Sequence, residues 1–333
     1  MTPVRAGDDL GPILAVDLGG SRIRVAHLSS DLMIAHREVI PTMPALGFED
    51  ALGRITKLAR AVQAAAESAG HAAPTAIGIS SPGPLDPWRG VIHNPPNLPG
   101  WEGAPIAERL SAALGLPATL ERDTNVALLA EWRYGAAVGV DHAVYITVST
   151  GIGGGLVVDG RLVHGPDGTA GEIGHLTVDL DGPPDGEGAP GHVEGTASGA
   201  ALARDGARLL ERGESPGLAE LVDGGAPVDA ATVCAAADAG DPACRRLIER
   251  AWAAIGAMCA GLVNVLNPQV LVLGGAIADH RPDLHEAVRT EIARRAFAVP
   301  AARVRLTAPQ FGDDVSLVGC WPLVHDMEAR RPQ

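Results

Sequence analysis

A turn near the start of the chain combines a carboxylate, two glycines and a hydroxyl within five residues: Asp17, Gly19, Gly20 and Ser21. Because glycines permit close backbone approach, the N–H groups of such a turn can point at phosphate oxygens. The carboxylate beside the turn can provide an oxygen ligand, direct or through water, for a phosphate-bound Mg²⁺. The alternative is an ordinary β-hairpin in which the aspartate caps the turn, and this segment alone does not decide between the two.

A second glycine-rich turn is predicted over residues 149–155, which read Ser-Thr-Gly-Ile-Gly-Gly-Gly. Thr150, Gly151 and Gly153 are its candidate phosphate contacts. It is not a Walker A loop, because no Gly-Lys-Ser/Thr occurs and the only lysine, Lys57, lies elsewhere. Two turns of this kind, each between two apolar runs, favour phosphate binding more strongly than one does.

A third turn of small residues, Gly274 and Gly275 followed by alanine, comes directly after an apolar run. Its position would suit a contact to the adenine or the ribose of a nucleotide. A strand-to-helix turn that needs glycine for packing explains the same residues equally well.

The turns are joined to segments whose apolar patterns predict strands and helices. The strand–turn–strand pattern at 13–28 recurs at 143–158, which predicts a duplicated α/β fold with a cleft between its halves. The segments 81–101 and 165–195 are rich in glycine and proline, and they are predicted to be loops or hairpins. The predicted strands are 13–18, 23–28, 32–40, 76–80, 118–121, 143–148, 156–158 and 269–273, and the predicted helices are 49–69, 105–114, 124–134 and a series ending near 264.

Composition restricts the class of protein. The 333 residues include 40 acidic and 26 basic side chains, a net charge of −14, and 46% hydrophobic residues. Such a chain can fold around a core, whereas binding to nucleic acid or to an anionic membrane would require basic patches. The longest apolar run, 251–263, is too short to span a bilayer, and no signal peptide is evident. The four cysteines have no CxxC spacing, so we expect buried thiols in a cytoplasmic protein.

The motifs together resemble the ROK family of sugar kinases and repressors, which is part of the actin-like ATPase superfamily. The resemblance extends from about Pro12 to about His325. It rests on the glycine pattern between Val148 and His175 and on these further segments: Asp17–Arg22, Asn94–Trp101, Glu121–Asn125 with Glu131, Gly171–His175, Gly191–Glu194, Asn267–Pro268 and Leu273–Gly275.

The resemblance implies a fold and an assembly. The expected architecture is the duplicated actin-like (ribonuclease H-like) fold, with two domains and an interdomain cleft. The first domain would be residues 12–123, completed by a C-terminal helix over 315–329. The second would be residues 124–314, including a loop for sugar and metal at 165–195. The family also favours a homodimer.

The resemblance further assigns roles to single residues. Asp123 matches the general base that accepts the proton of a sugar hydroxyl during attack on the γ-phosphate of ATP. Asn97, Glu172, His175 and Glu194 match positions that hydrogen-bond sugar hydroxyls. The three turns would hold ATP with its Mg²⁺. For His175, a structural histidine is the alternative.

One departure from the family pattern lies beside the predicted base. The family has asparagine where this chain has Arg122, at a position that contacts a sugar hydroxyl. Arginine only donates hydrogen bonds and is always charged, so it cannot replace the donor–acceptor pair of an amide. Arg122 is therefore predicted to contact an acidic or differently substituted sugar, to pair with an acid, or to point away.

The second departure is in the family's zinc-binding motif, where all three cysteines are absent. Asp185, Glu187 and His192 stand at those positions, and with His175 they form a candidate site for Zn²⁺ or Mn²⁺. A solvated acidic loop is the alternative, since acidic residues are abundant in this chain.

The predicted function is ATP-dependent phosphorylation of a hexose or hexose derivative, with glucose as the first candidate. One alternative is a kinase for an N-acetylhexosamine or another modified sugar. Another is a sugar-sensing protein without catalysis, although the roughly dozen residues before Ile13 are too few for a DNA-binding domain. An actin-like assembly ATPase is disfavoured by the sugar-side motifs.

Overall fold

The computed structural model describes residues 11–95 and 98–325. Within these residues the strands are β1 (Ile13–Leu18), β2 (Arg22–Leu28), β3 (Ile34–Pro41), β4 (Ala76–Ser81), β5 (Leu85–Asp86), β6 (Val91–Ile92), β7 (Ala118–Arg122), β8 (Ala143–Val148), β9 (Ile152–Val158), β10 (Arg161–Leu162), β11 (Val270–Gly274) and β12 (Arg305–Thr307). The helices are α1 (Gly47–Ser68), α2 (Ile106–Leu114), α3 (Asp123–Tyr134), α4 (Val193–Ala197), α5 (Gly199–Glu211), α6 (Pro216–Asp223), α7 (Ala230–Asp238), α8 (Pro242–Leu266), α9 (Pro282–Arg295), α10 (Ala298–Arg303) and α11 (Val315–His325).

The strands form two five-stranded sheets and one two-stranded hairpin. The first sheet has the order β3-β2-β1-β4-β7, and the second has the order β10-β9-β8-β11-β12. Counted within its own half of the chain, each sheet reads 3-2-1-4-5. The predicted duplication is therefore confirmed in the strand order, and the fold is mixed α/β.

The first sheet is buried on both faces at its centre. Side chains alternate between the faces of a strand, so Leu14 and Val16 of β1 share one face, where they pack with Ile55 of α1 in the same core cluster. On the other face, Gly78 of β4 lies so close to α11 that a Cβ atom there would be 2.7 Å from the Cβ of Cys320. This double coverage explains why β1 and β4 consist of apolar and small residues along nearly their whole length.

Residues 149–155 are not one turn, contrary to the sequence prediction. The turn is limited to 149–151, and β9 begins at Ile152, so the last three glycines lie in a strand. Packing explains the last two of these glycines. A Cβ atom at Gly154 would be 2.5 Å from Cδ1 of Ile173, and one at Gly155 would be 2.8 Å from the carbonyl oxygen of Thr124.

Other boundaries differ from the predicted ones by only a few residues. The predicted loop 81–101 contains the β5–β6 hairpin, and the segment 165–195 contains a 3₁₀ helix over Ile173–His175 and the start of α4. The predicted C-terminal helix is present as α11 up to His325, and the rest of that prediction lies outside the described residues. All four cysteines are free and buried, as expected.

The chain divides into two compact units. The first contains residues up to Asp141, Gly155–Ala170 and the chain from Pro309 onward; the second contains His142–Gly154 and Gly171–Ala308. The domain boundaries derived from the sequence, 12–123 and 124–314, stay a prediction. No helix in the described part of the chain is long and apolar enough to cross a bilayer.

Glu131 of α3 connects that helix to the segment that leads into α11. Its side chain is completely buried, and Oε1 accepts hydrogen bonds from the backbone N–H groups of Gln310 and Phe311 at 2.8 and 3.0 Å. Oε2 accepts a third from the N–H of Ala136 at 2.7 Å. A carboxylate is suited to this position because it only accepts hydrogen bonds.

We expect Glu131→Gln to lower the free energy of unfolding by about 1.5–3 kcal/mol, because the amide places a donor against a backbone donor. Urea unfolding followed by circular dichroism measures the change. Glu249→Gln, at an exposed position of α8, is the matched control and should have little effect. Equal stability of the two variants would contradict the role given to Glu131.

Candidate active site

Three parallel strands end together at one edge of the first sheet. Asp17 of β1 is in register with Ser80 of β4, and Ser80 is in register with Glu121 of β7. Neighbouring strands are about 4.8 Å apart, so the Cα atoms of Asp17 and Glu121 are roughly 10 Å apart. Asp123 follows two residues after Glu121, as the first residue of α3. Ligands of open α/β sheets bind at this carboxyl edge.

Asp17 is oriented by a buried arginine. Its Oδ2 accepts a hydrogen bond of 2.9 Å from Nε of Arg24, the residue directly opposite in β2. Nη1 of Arg24 also donates to the carbonyl oxygen of Asp313, at 2.5 Å. Both side chains of the ion pair are largely buried. The Arg24 contact therefore determines which way the Asp17 carboxylate faces.

The turn after Asp17 is closed by its own backbone. The N–H of Gly19 donates to the carbonyl oxygen of Arg22 at 2.9 Å. The hydroxyl of Thr42 donates to the carbonyl oxygen of Gly19 at 2.6 Å. Gly20 and Ser21 form the outer part of this turn, where Ser21 is exposed. The turn is thus a tight hairpin with accessible backbone at its tip.

Asp123 is half-buried, and its Oδ1 accepts the N–H of Thr124 at 2.7 Å. The neighbouring Glu121 is completely buried and accepts from Nδ2 of Asn125 at 3.0 Å. Its Oε2 lies 2.7 Å from Nε2 of His164. Burial alone would raise the pKa of the Glu121 carboxyl, but the hydrogen bond and charge of His164 bring that pKa below its ordinary value. Glu121 is therefore ionised at neutral pH.

Arg122 lies between Glu121 and Asp123 in the sequence. Its side chain is buried, and only 4% of the residue's surface is exposed. Its guanidinium donates through Nη2 to the carbonyl oxygen of Ala170, and Nη1 lies 3.5 Å from the carbonyl oxygen of Thr169. The guanidinium thus binds the backbone of the segment that directly precedes Gly171 and Glu172.

In the second unit, the turn after β8 lies beside the turn after β11. A Cβ atom at Gly275, where φ is +98°, would be 2.5 Å from the hydroxyl oxygen of Thr147, so only glycine fits there. Gly274 is the last residue of β11 and pairs with Thr147. The carbonyl oxygen of Thr150 accepts the N–H of Ala200 at 3.1 Å, at the start of α5. Gly151 completes this turn, whereas Gly153 lies in β9.

Glu194 lies against the same glycine turn. Its Oε2 accepts the N–H of Ile152 at 2.7 Å, and a Cβ atom at Gly151 would be 2.7 Å from that oxygen. Gly174 also packs against this turn, because a Cβ atom added there would lie 2.1 Å from the carbonyl oxygen of Ile152. Glu172 is exposed, just before the 3₁₀ helix that ends at His175. Asn97, a predicted sugar contact, lies outside the described residues.

Three of the four predicted metal ligands converge on one point. Oδ2 of Asp185 lies 3.0 Å from Nδ1 of His175 and 2.6 Å from Nδ1 of His192, and the two Nδ1 atoms are 3.3 Å apart. Glu187 is exposed and contributes only its N–H, which donates to Oδ1 of Asp185 at 2.9 Å. Despite burial, hydrogen bonds from His192 and from the N–H groups of Ala189 and Glu187 lower the pKa of Asp185 to about 2.

Two residues of this arrangement were not singled out in the sequence. Arg24 could have been found from the hairpin, because the register that pairs Ile13 with Leu28 also pairs Asp17 with residue 24. His164 gives no comparable signal, since its partner Glu121 is 43 residues away and in a different element.

The two sheets of equal strand order, with a glycine turn after the first strand of each, define a protein of the actin-like ATPase fold. The chain belongs to the ROK family, whose sequence pattern matches residues 13–327. It is 30% identical over 314 residues to the glucokinase of Thermotoga maritima, covering 94% of this chain and 97% of that protein. It is 33% identical over 307 residues to the N-acetylmannosamine kinase of Citrobacter koseri, with 92% and 96% covered.

A solved structure shows the same fold. The ROK family glucokinase from Streptomyces griseus, in complex with glucose and AMPPNP, superposes with a TM-score of 0.78 at 29% identity, covering 94% of this chain and 99% of that one. The relatives are sugar kinases, so this chain is similar to phosphotransferases that act on more than one kind of sugar.

We expect Arg24→Met to lower the free energy of unfolding by about 3–5 kcal/mol, because it leaves the buried Asp17 carboxylate without its ion-pair partner. Adding Asp17→Asn should restore part of the loss, because an amide needs no counter-charge. Arg37→Met, which breaks the more exposed pair with Asp314, should cost less than about 1 kcal/mol. Denaturant unfolding of these three variants and of Asp17→Asn alone measures these differences. Additive effects of the Arg24 and Asp17 changes would show that the two side chains are not coupled.

Proposed function

We propose that the protein is an ATP- and Mg²⁺-dependent kinase that phosphorylates a hexose or a hexose derivative. The observation that supports this most is the placement of Asp17 and Asp123 at the same edge of the first sheet, beside a tight glycine turn. Membership of the ROK family and similarity to glucokinases and N-acetylmannosamine kinases point the same way.

Asp123 is the proposed general base. Its carboxylate takes the proton of a sugar hydroxyl, whose oxygen then forms the new bond to the γ-phosphorus. The bond from that phosphorus to the bridging oxygen breaks, and ADP leaves with the electron pair. The partial exposure of Asp123 leaves it accessible to a substrate, whereas Glu121 beside it is completely buried and engaged.

The nucleotide is held in this proposal by the glycine turns. Backbone N–H groups at Gly20 and Ser21 and in the turn with Thr150 and Gly151 would face phosphate oxygens. Gly19 would shape the first turn, because its own N–H donates to the carbonyl oxygen of Arg22. The donor chemistry fits Mg²⁺, because Asp17 offers a carboxylate beside the first turn. Mg²⁺ would neutralise charge on the β- and γ-phosphates. Gly274 and Gly275 would lie against the adenosine, and Gly153 would support the turn from β9.

The sugar is held by side chains with different exposures. Glu172, His175 and Glu194, all in the second unit, are its proposed contacts, and the family resemblance assigns the same role to Asn97. We take an unmodified hexose, with glucose first, as the substrate. An N-acetylhexosamine is the second candidate, because the N-acetylmannosamine kinase of Citrobacter koseri is as similar to this chain as the glucokinase relatives are.

Asp123→Asn should lower kcat on the best sugar by a factor of about 10²–10⁴, because it removes the base and keeps the shape. The affinity for ATP should stay within twofold, whereas Asp17→Asn should weaken the use of MgATP. A coupled ADP assay with glucose, N-acetylmannosamine and other hexoses measures both, with the exposed Asp223→Asn as control.

Near-normal turnover of Asp123→Asn would exclude the base assignment. Sugar binding by the wild-type protein without any turnover would instead favour a sugar sensor. A preference for N-acetylmannosamine over glucose would select the second candidate substrate.

We further propose that His175, Asp185 and His192 hold a structural Zn²⁺ or Mn²⁺. Two ligands of a tetrahedral Zn²⁺ at about 2.0–2.1 Å are about 3.3 Å apart. The separations among the three donor atoms, 2.6, 3.0 and 3.3 Å, are close to that value. The carboxylate is ionised, and the donors are types that Zn²⁺ accepts. A bound ion would fasten the start of α4, and therefore Glu194, to the 3₁₀ helix that ends at His175.

Protein purified without a His-tag should contain about one Zn²⁺ or Mn²⁺ per chain, because three pre-aligned donors bind one ion. His192→Ala should lose the metal and melt at a lower temperature, whereas His280→Ala, an exposed histidine of the same unit, should keep both. Elemental analysis and thermal denaturation measure these properties. Metal-free protein whose melting temperature does not respond to added Zn²⁺ or Mn²⁺ would show that the cluster is only hydrogen-bonded.

A further inference from the structure

The loop of residues 164–170 is attached at both ends to the end of β7. At its first residue, Nε2 of His164 lies 2.7 Å from Oε2 of Glu121. At its last two residues, the guanidinium of Arg122 bonds to the carbonyl oxygens of Thr169 and Ala170. Consecutive residues of β7 thus hold the two ends of one loop. We refer to it as the 164–170 loop.

The ends of the loop are also joined by a backbone hydrogen bond, and the loop packs against Pro87 and Trp88. The N–H of Ala170 donates to the carbonyl oxygen of His164 at 2.9 Å. Gly168, with φ of +76°, lies so close to the β5 region that a Cβ atom would be 2.8 Å from Cδ of Pro87. The ring of Trp88 stands 5.6 Å from that of His164. The loop is therefore a compact, well-anchored unit.

The chemistry of the attachment is more demanding than stability alone requires. It uses a completely buried carboxylate and an almost completely buried guanidinium, and charges out of water cost several kcal/mol unless they are well paired. Apolar residues of similar volume often hold a loop as well or better. The charged groups lie where the chain leads to the proposed site: Arg122 directly precedes Asp123, and Ala170 is two residues before Glu172.

We infer that Arg122, supported by the Glu121–His164 pair, is a positioning residue that holds the 164–170 loop and thereby sets the affinity of the enzyme for its sugar. This inference rests on the proposed kinase function. Because the guanidinium acts through backbone carbonyl groups, its loss affects all sugars alike and does not change which sugar is preferred.

The kinetic test compares Arg122→Met with Arg122→Lys, and His164→Phe with His164→Gln. The Met and Phe variants should raise KM for every accepted sugar about tenfold, with KM for ATP changed less than twofold. Lysine and glutamine retain a donor and should restore part of the sugar affinity. The exposed Arg89→Met, in the same unit, is the control.

The double variant Arg122→Met/His164→Phe tests whether both attachments act on the same loop. Once one end is released, releasing the other should matter less, so the rise in KM should be smaller than the product of the two single effects. Multiplicative effects, or a change confined to the melting temperature, would overturn the inference. A tenfold change in the ranking of sugars would show instead that Arg122 reads the sugar directly.

A measurement without turnover separates this inference from the proposed function. Hydrogen exchange of the Ala170 amide should be at least tenfold faster in Arg122→Met and His164→Phe than in the wild type or Arg89→Met. Unchanged exchange would overturn the attachment even in an active kinase. Faster exchange in a protein that phosphorylates no sugar would leave the attachment standing and reject the kinase assignment. If Arg122→Met does not fold, Arg122→Lys provides the same comparison.

Discussion

The register of three parallel strands is the constraint on which the proposed site depends. β1 and β4 are covered on both faces, so polar side chains enter only at their carboxyl ends. There Asp17, Ser80 and Glu121 stand side by side. A slip of one residue in either pairing would move each side chain to the opposite face of the sheet. The apolar pattern of the strands therefore sets the distance between the carboxylate of the first turn and the start of α3, where Asp123 lies.

The buried acids of the first unit are stable because each has partners suited to its charge. Asp17 is paired with Arg24, Glu121 with His164, and Glu131 with three backbone N–H groups. An unpaired carboxylate in such surroundings would cost several kcal/mol or take up a proton. The buried charges of Asp17 and Glu121, which lie at the edge of the sheet that carries the proposed site, are thus each compensated by a neighbouring side chain.

Apolar patterns along the sequence predicted the strands whose bounds depend mainly on neighbouring residues in the chain. The strands β1 and β8 have the predicted bounds, because predominantly apolar runs that end at small residues leave little alternative. The start of β9 was missed for the opposite reason. Its glycines look like turn residues, yet Gly154 and Gly155 are required by close neighbours in other elements, Ile173 and Thr124. The partners of Arg122 and the His164–Glu121 pair likewise join segments more than 40 residues apart, which no local pattern indicates.

The two departures from the family pattern are related through the chain. Arg122 anchors Ala170, and the cluster of Asp185 and His192 anchors His175. Glu172 lies between these two anchors, which are separated by only five residues along the sequence. Each anchor limits the backbone conformations of the residues next to it within its own unit. The arginine and the cysteine-free cluster thus order the chain just before and just after Glu172. In the proposed kinase, in which Glu172 contacts the sugar, the sugar affinity is therefore expected to depend on both.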